Sequence, residues 1–176
     1  MSLRVVSANK RQARNFFPPV VGSSGGTNVN RFYVFGFNER PILGEGWYDL
    51  ERLGDGPPFR ATSGKATLIL PKFDLRELVL ICCAQTKITG EPLQVDLIDP
   101  RRQVTQMEIS SDAWHIRRYV PPEPGQSLEY LEIFVRNPWS PNRLLGSPDR
   151  RRLGLFVSAI RLCLVEDGGK WDEWDR

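Results

Sequence analysis

Two stretches of the chain bring tryptophan, arginine, amide and carboxylate side chains together. In residues 137–152, NPWSPNRLLGSPDRRR, the residues Trp139, Asn142, Arg143, Asp149 and Arg150 stand among Pro138, Pro141 and Pro148. The second is Trp47, Tyr48 and Asp49, with Arg60 a short way downstream. Such a mixture suits carbohydrate recognition. An indole or phenol ring packs on the apolar face of a sugar while Asp, Asn and Arg take its hydroxyls through paired hydrogen bonds. Trp139, held between prolines in a connection, is expected to be exposed or half-exposed. Trp47 lies in a strand pattern and reads as core ahead of platform.

Catalysis makes sharper demands, and the chain meets few of them. Residues 22–26, GSSGG, match the letters of the G-x-S-x-G nucleophile elbow. No apolar strand leads in and no helix follows, so a flexible linker accounts for them. His115 is the single imidazole, and any Ser-His or Cys-His arrangement must use it. There is no HExxH, EF-hand loop or GxxxxGK[ST] pattern, so no cofactor is expected from motifs. A structural calcium held by backbone carbonyls leaves no fixed spacing; Glu45, Asp49, Asp55 and Asp167 are the carboxylates that could serve it. Of the three cysteines, Cys82 and Cys83 adjoin inside LVLICCA and read as buried thiols in a reducing compartment.

Charge narrows the partners. Lysine and arginine total 24 against 21 acids, a net of +3, and the aromatics fall mostly in apolar strand patterns, so nucleic acid is disfavoured. The positive charge is nearly all arginine, with runs at Arg101 and Arg102, Arg117 and Arg118, and Arg150 to Arg152. A planar guanidinium fork suits carboxylates, phosphates and sugar hydroxyls, although salt bridges on strand faces are the common use.

The elements that must position these side chains are strands. A chain of 176 residues suits one domain, and no apolar run approaches the roughly 20 residues of a membrane span. Ser7, Asn9, Lys10 and Arg11 interrupt the start, which lacks a secretory apolar core, so a cytoplasmic protein is expected. Residues 1–30, rich in Gly, Ser and Pro, read as a lead-in; 31–166 as the domain; 167–176 as an acidic tail with Trp171 and Trp174. Within the domain, RFYVFGF and GWYDLERL read as strands, FRATSGKATLILP as a broken hairpin turning at TSGK, and RELVLICCAQ as a strand buried on both faces. EPLQVDLID and QVTQMEIS form a hairpin with Leu93, Val95 and Leu97 inward. WHIRRYV, LEYLEIFVR and LGLFVSAIRLCLV follow, the last two largely apolar on both faces. Eight or nine short strands without a helical period predict an all-β, antiparallel β-sandwich of jelly-roll type; an up-and-down barrel is the alternative.

The segments GWYDLE, PFRATSGKATLILP and DRRRLGLFVSAIRL, in that order, carry a resemblance. They resemble the galactose-binding-like jelly-roll modules found beside or fused to bacterial glycosyltransferases and methyltransferases of surface-polysaccharide pathways. The match covers residues 46–164 through Gly46, Trp47, Arg60, Thr62, Gly64, Lys65, Ala66, Arg152, Leu153, Gly154, Val157, Ser158, Ile160 and Leu162, with Ser63 inserted. Ala61 stands where an aromatic is usual. The resemblance implies a non-catalytic scaffold that binds sugars or docks on a partner enzyme, and it implies no catalytic residues.

The expectation is therefore a non-catalytic carbohydrate-binding module, accessory to polysaccharide synthesis or modification, with Trp139, Asn142, Arg143, Asp149, Arg150, Arg60 and Trp47 at the ligand. A docking or self-association module is the alternative, since exposed tryptophans such as Trp171 and Trp174 are common interface anchors. A small hydrolase using His115 is third.

Overall fold

In a computed structural model of the chain, residues 32–72, 74–123 and 126–164 are described. The elbow-like run at 22–26, Asp167, Trp171 and Trp174 lie outside them. The strands are β1 (Phe32–Val34), β2 (Trp47–Arg52), β3 (Pro58–Thr62), β4 (Lys65–Ile69), β5 (Asp74–Cys83), β6 (Leu93–Ile98), β7 (Val104–Ile109), β8 (His115–Tyr119), β9 (Gln126–Ser127), β10 (Tyr130–Val135) and β11 (Phe156–Leu164). They make two antiparallel sheets, the β-sandwich that the strand pattern predicts. The larger sheet runs β2-β3-β11-β5-β8, with β1 on β11 and β9 on β5; the smaller runs β4-β10-β6-β7.

β5 and β11 are apolar on both faces because both faces are covered. They pair from Phe156↔Cys83 to Leu164↔Leu75, with a bulge between Val157 and Ala159. Leu78, Leu80 and Cys82 of β5 enter the main core with Val157, Ile160 and Leu162 of β11, against Leu97, Leu131 and Ile133 of the small sheet. Their alternates Cys83 and Phe156 join Phe59 and Ala61 in a second cluster. A strand's side chains alternate between faces, so this second cluster lies on the outer face of the large sheet. Ser158, at the bulge, is fully buried, and its carbonyl accepts from the Phe35 N–H at 3.0 Å.

The β6–β7 hairpin forms in the expected register, Leu93↔Ile109 to Ile98↔Val104. Leu93, Val95 and Leu97 are buried. Its turn uses Asp99, whose Oδ1 accepts from the Gln103 N–H at 2.9 Å, and places Arg102 at φ 65.

Two expectations need correction. The first strand stops at Val34 rather than running to Phe37, because the Asn38 amide stands in for a strand partner. Its Oδ1 accepts from the Val34 N–H at 2.7 Å, and its Nδ2 donates to the Phe32 carbonyl at 2.9 Å. The second correction is larger: TSGK is not a hairpin turn. β3 pairs with β2 and β11 in the large sheet, whereas β4 pairs with β10 in the small one. At Ser63 and Gly64 the chain changes sheets.

That corner is held by backbone bonds from three other segments. The Thr62 N–H donates to the Leu155 carbonyl at 2.8 Å, and the Gly154 N–H to the Thr62 carbonyl at 2.8 Å. The Ser63 N–H donates to the Gly46 carbonyl at 2.8 Å, and the Val135 N–H to the Gly64 carbonyl at 2.9 Å. The Leu155 N–H reaches the fully buried Thr62 Oγ1 at 2.9 Å. Such close approaches need glycine. A Cβ on Gly46, which has φ +84, would lie 1.9 Å from the Lys65 carbonyl oxygen. Gly46→Ala should therefore destabilise the domain by at least about 3 kcal/mol, since left-handed strain adds to a backbone clash. Gly90→Ala, also at positive φ but with nothing within 4 Å, should cost only about 1 kcal/mol. Urea unfolding of the two variants checks the contrast.

Candidate functional site

β10 and β11 belong to different sheets, so the connection between them has to cross the edge of the sandwich. That is why it is long. Asn137 fastens its start: Oδ1 accepts from the Gln94 N–H at 2.8 Å, and Nδ2 donates to the Pro92 carbonyl at 2.9 Å and Glu91 Oε1 at 3.1 Å. A reciprocal bridge then pinches the loop, with the Trp139 N–H donating to the Leu153 carbonyl at 2.9 Å and the Leu153 N–H to the Trp139 carbonyl at 2.7 Å. Between them lie a one-turn helix, Pro141–Leu145, and Gly146 at φ 64. Asn142 closes the tip: its N–H donates to the Asp149 carbonyl at 2.8 Å and its Nδ2 to the Ser147 carbonyl at 2.7 Å.

Trp139 is not the exposed platform that its prolines suggest. It is only 9% exposed and packs with Leu153 on Phe59, Ala61, Cys83 and Phe156. The physical reason is the outer face of the large sheet: those apolar side chains point away from the main core and need cover, and the pinched loop supplies it. Full burial of an indole of this kind contributes about 2–3 kcal/mol. Ala61, small where the resembling modules carry an aromatic, lies beneath this cover and is itself buried.

Beyond the tip the chain runs without regular structure through Arg150, Arg151 and Arg152, and the three side chains have different fates. Arg151 is locked in place. Its guanidinium grips Asp149 at 2.8–3.1 Å, donates to Glu51 and lies 5.2 Å over the Tyr48 ring. The hydrogen bonds from the Arg151 side chain and N–H hold the Asp149 carboxyl below its ordinary range. Asp149 and Glu51 in turn raise Arg151. Arg150 and Arg152, on either side of it in sequence, are exposed. Among the described residues, the side chains of Arg143, Arg150 and Arg152 carry no hydrogen bond or ion pair.

Two open clefts adjoin along this ridge. One, of about 540 Å³, lies over the sheet-changing corner between Tyr48, Lys65, Phe134 and Arg136. The other, of about 680 Å³, lies between the loop and Thr89 and Glu91, with Trp139 and Arg143 in its wall. Arg150 and Arg152 line both. Glu91 is the only carboxylate among the residues lining either cleft, against Lys65 and five arginines. Lys65 and Arg136 are already paired, with Glu132 at 2.8 Å and with Asp96 at 2.8 Å. The free positive charge therefore belongs to Arg143, Arg150 and Arg152.

Of the residues singled out in sequence, Arg143 and Arg150 reach the clefts free, and Trp139 forms wall rather than platform. Asn142 and Asp149 hold the loop in shape. Trp47 and Arg60 are absorbed elsewhere. The Trp47 Nε1 donates to the Thr67 carbonyl at 2.8 Å, and its ring meets Phe35 edge-on, with centroids 5.6 Å apart. Arg60 pairs with Glu39 at 3.1 Å and donates to the Tyr48 carbonyl at 3.0 Å. Burial works to raise the Glu39 carboxyl, but its own N–H, that of Gly36 and the Arg60 guanidinium together leave it lowered. Lys65, Phe134, Arg136 and Arg152 were missed as lining residues. For Arg152 the signal was the RRR run itself; for the rest it required knowing that the chain changes sheets at Gly64.

His115 sits away from both clefts. The Ser111 Oγ lies 2.9 Å from its Nε2 and also accepts from the Ala113 N–H at 3.3 Å, so the pair clasps the β7–β8 connection. Among the described residues no three His, Cys, Asp or Glu side chains form a group able to hold a metal ion. Glu45, Asp49 and Asp55, considered above for calcium, are not brought together as a set. No helix among the described residues is long and apolar enough to cross a membrane.

Comparison with known proteins finds no family model and no curated protein that matches. Among solved structures, ten chains match. One is a low-affinity xylan-binding module, CBM86, from the gut symbiont Roseburia intestinalis, at 10% identity and a TM-score of 0.43, covering 81% of this chain and 100% of that one. At that identity and TM-score the likeness assigns no ligand here.

Two outcomes follow from this geometry. Trp139→Ala should lower the melting temperature, corresponding to about 3 kcal/mol, because it empties a covered apolar site; a melting point equal to that of the unaltered chain would contradict the cover role. Glu39→Gln should change stability in a pH-dependent way. Because folding lowers the Glu39 carboxyl, its stabilisation is present above the ordinary value of 4.5 and is lost as the pH falls through and below it. The variant should thus be weaker at pH 7 and converge on the unaltered chain near pH 3, as read from urea midpoints across that range.

Proposed function

We propose that this chain is a non-catalytic carbohydrate-binding module whose ligand lies along the two clefts that meet at Arg150 and Arg152. The observation that carries this reading is the pair of adjoining open clefts walled by hydrogen-bond donors on a ridge that the fold holds rigid. An open groove rimmed by guanidinium and amide donors suits the hydroxyls of an extended glycan. The Ser111–His115 contact lies outside the clefts, which supports binding rather than hydrolysis as the groove's task. An accessory role beside a glycosyltransferase or methyltransferase of polysaccharide synthesis rests on the resemblance in residues 46–164. The cytoplasmic setting is supported by three buried cysteines that form no disulfide. Burial holds the Cys82 thiol up at about 12, so it is an inert core side chain.

A second reading is supported by Phe37, which is 74% exposed, and by Leu50, 40% exposed and packed against the neighbouring Gly36. Apolar exposure there suits docking on an enzyme or on a second copy. Affinity electrophoresis of the whole chain through gels containing neutral and acidic glycans separates the two. Retardation by at least one glycan, with a monomer mass by light scattering, is the expected result. Unretarded migration in every gel, together with a dimer mass lost in Phe37→Ser, would replace the carbohydrate reading by the docking one.

A further inference from the structure

We infer that the ligand class of this groove is an acidic glycan, recognised through its carboxylate or sulfate groups by Arg143, Arg150 and Arg152 rather than through sugar rings stacked on aromatic side chains. The inference rests on the carbohydrate-binding reading and narrows it.

Stacking requires an exposed ring, and the groove offers little. Trp139 lines the wall but is only 9% exposed, packed against the outer face of the large sheet. The Tyr48 ring is covered by the Arg151 guanidinium at 5.2 Å. Phe134, at 42% exposure, is the one open ring, and it lies at the far cleft. A neutral glycan would thus gain few of the ring contacts that normally support its binding.

Charge tells the opposite story. Several arginines of the domain are spent on carboxylates: Arg60 on Glu39, Arg118 on Glu77, Arg136 on Asp96, and Arg151 on Asp149 and Glu51. Arg143, Arg150 and Arg152 are not, and these three line one groove together. Glu91 opposes them in the second cleft, but it already accepts from the Asn137 Nδ2 at 3.1 Å. Arg151, between Arg150 and Arg152, is occupied by its own carboxylates, while the flanking pair, with Cα atoms at most about 7 Å apart, lines both clefts. A row of guanidinium forks at that spacing fits anionic groups repeating along a polymer, with bidentate geometry at each. Nucleic acid also repeats its anions, but successive unstacked bases need several open aromatic faces, and Phe134 is the single open ring among the described residues lining these clefts.

The test measures binding of the whole chain to polygalacturonate, to methyl-esterified polygalacturonate, to dextran sulfate, to neutral xylan and to single-stranded DNA at two salt concentrations. Polygalacturonate or dextran sulfate should bind at least about tenfold more tightly than xylan, and whichever of the two wins distinguishes carboxylate from sulfate as the recognised group. Esterification should abolish binding to the uronate backbone, and added salt should weaken binding to either polyanion. The exposed double variant Arg150→Ala/Arg152→Ala should keep its melting temperature and lose at least about tenfold in affinity for the preferred polyanion, with Arg143→Ala giving a smaller loss. Xylan or the esterified polymer binding as well as the polyanions, unchanged in the double variant, would overturn the inference and leave the carbohydrate reading standing. Absence of binding to every glycan would overturn both. DNA binding tighter than either polyanion would assign the arginines to nucleic acid instead.

Discussion

The close approach of Gly154 to Thr62 is the constraint on which both the sandwich and the groove depend. A Cβ on Gly154 would lie 2.7 Å from Thr62 Oγ1, 2.7 Å from Val135 Cγ2 and 2.8 Å from the Ser63 carbonyl oxygen. Only a bare backbone fits, and its N–H bonds the Thr62 carbonyl across the gap. Here β3 leaves the large sheet, β10 passes in the small one and the long loop returns to begin β11. Four segments that share no neighbourhood in sequence are thus fixed within hydrogen-bond reach. The Thr62 hydroxyl, fully buried, accepts from the Leu155 N–H, so the corner leaves no orphaned donor where the ladder breaks. Gly46, Thr62, Gly64 and Gly154, four of the residues on which the sequence resemblance rests, converge on this corner. They record a way of changing sheets more than a way of holding a ligand.

The same corner sets where the charge goes. Arg152 precedes Gly154 by two residues and its guanidinium lies over Gly64, with Nη2 3.7 Å from where a Cβ would be. Leu153 is pinned by Trp139 and Gly154 by Thr62. Two carboxylates and the Tyr48 ring hold Arg151; Arg150 and Arg152 are left to solvent. An exposed arginine ordinarily contributes little to stability, paired or not. Three of them lining one cleft without a carboxylate partner gain the fold nothing and cost mutual repulsion. That cost is what the proposed anionic ligand would offset.

Legibility in the sequence followed the range of the interactions involved. Period-two alternation is local, so the β6–β7 hairpin and the double-sided strands β5 and β11 could be read directly, and with them an all-β sandwich. TSGK could not, because the letters that close a hairpin also permit a change of sheet. The choice lies in whether β3 finds β2 and β11 or folds back on β4, which is a matter of distant partners. Trp139 shows the same limit at a single residue. Prolines and polar neighbours describe a loop correctly, yet a loop can lie over an apolar sheet face, and the face formed by Phe59, Ala61, Cys83 and Phe156 is assembled from three separate strands. Arg60 and Trp47 find partners inside the fold that sequence could not show for the complementary reason: Glu39 and the Thr67 carbonyl lie 21 and 20 residues away.

The burial of Trp139 bears on the recognition proposed for the groove. A platform built from Trp139 would have made the module selective for ring faces, with charge as a bystander. With that indole committed to covering the large sheet, the energy available to a ligand must come from donors. Guanidinium donors discriminate by charge and geometry, and their strength depends on how well water is displaced from the fork. In an open groove that displacement is incomplete and each contact is weak. Affinity then has to accumulate along the ridge through repeated engagement, which a polymer with regularly spaced anions provides and a single monosaccharide does not. The rigidity of the Thr62–Gly154 corner is what makes such accumulation effective, because arginines on a fixed backbone lose less freedom on binding than arginines on a mobile loop.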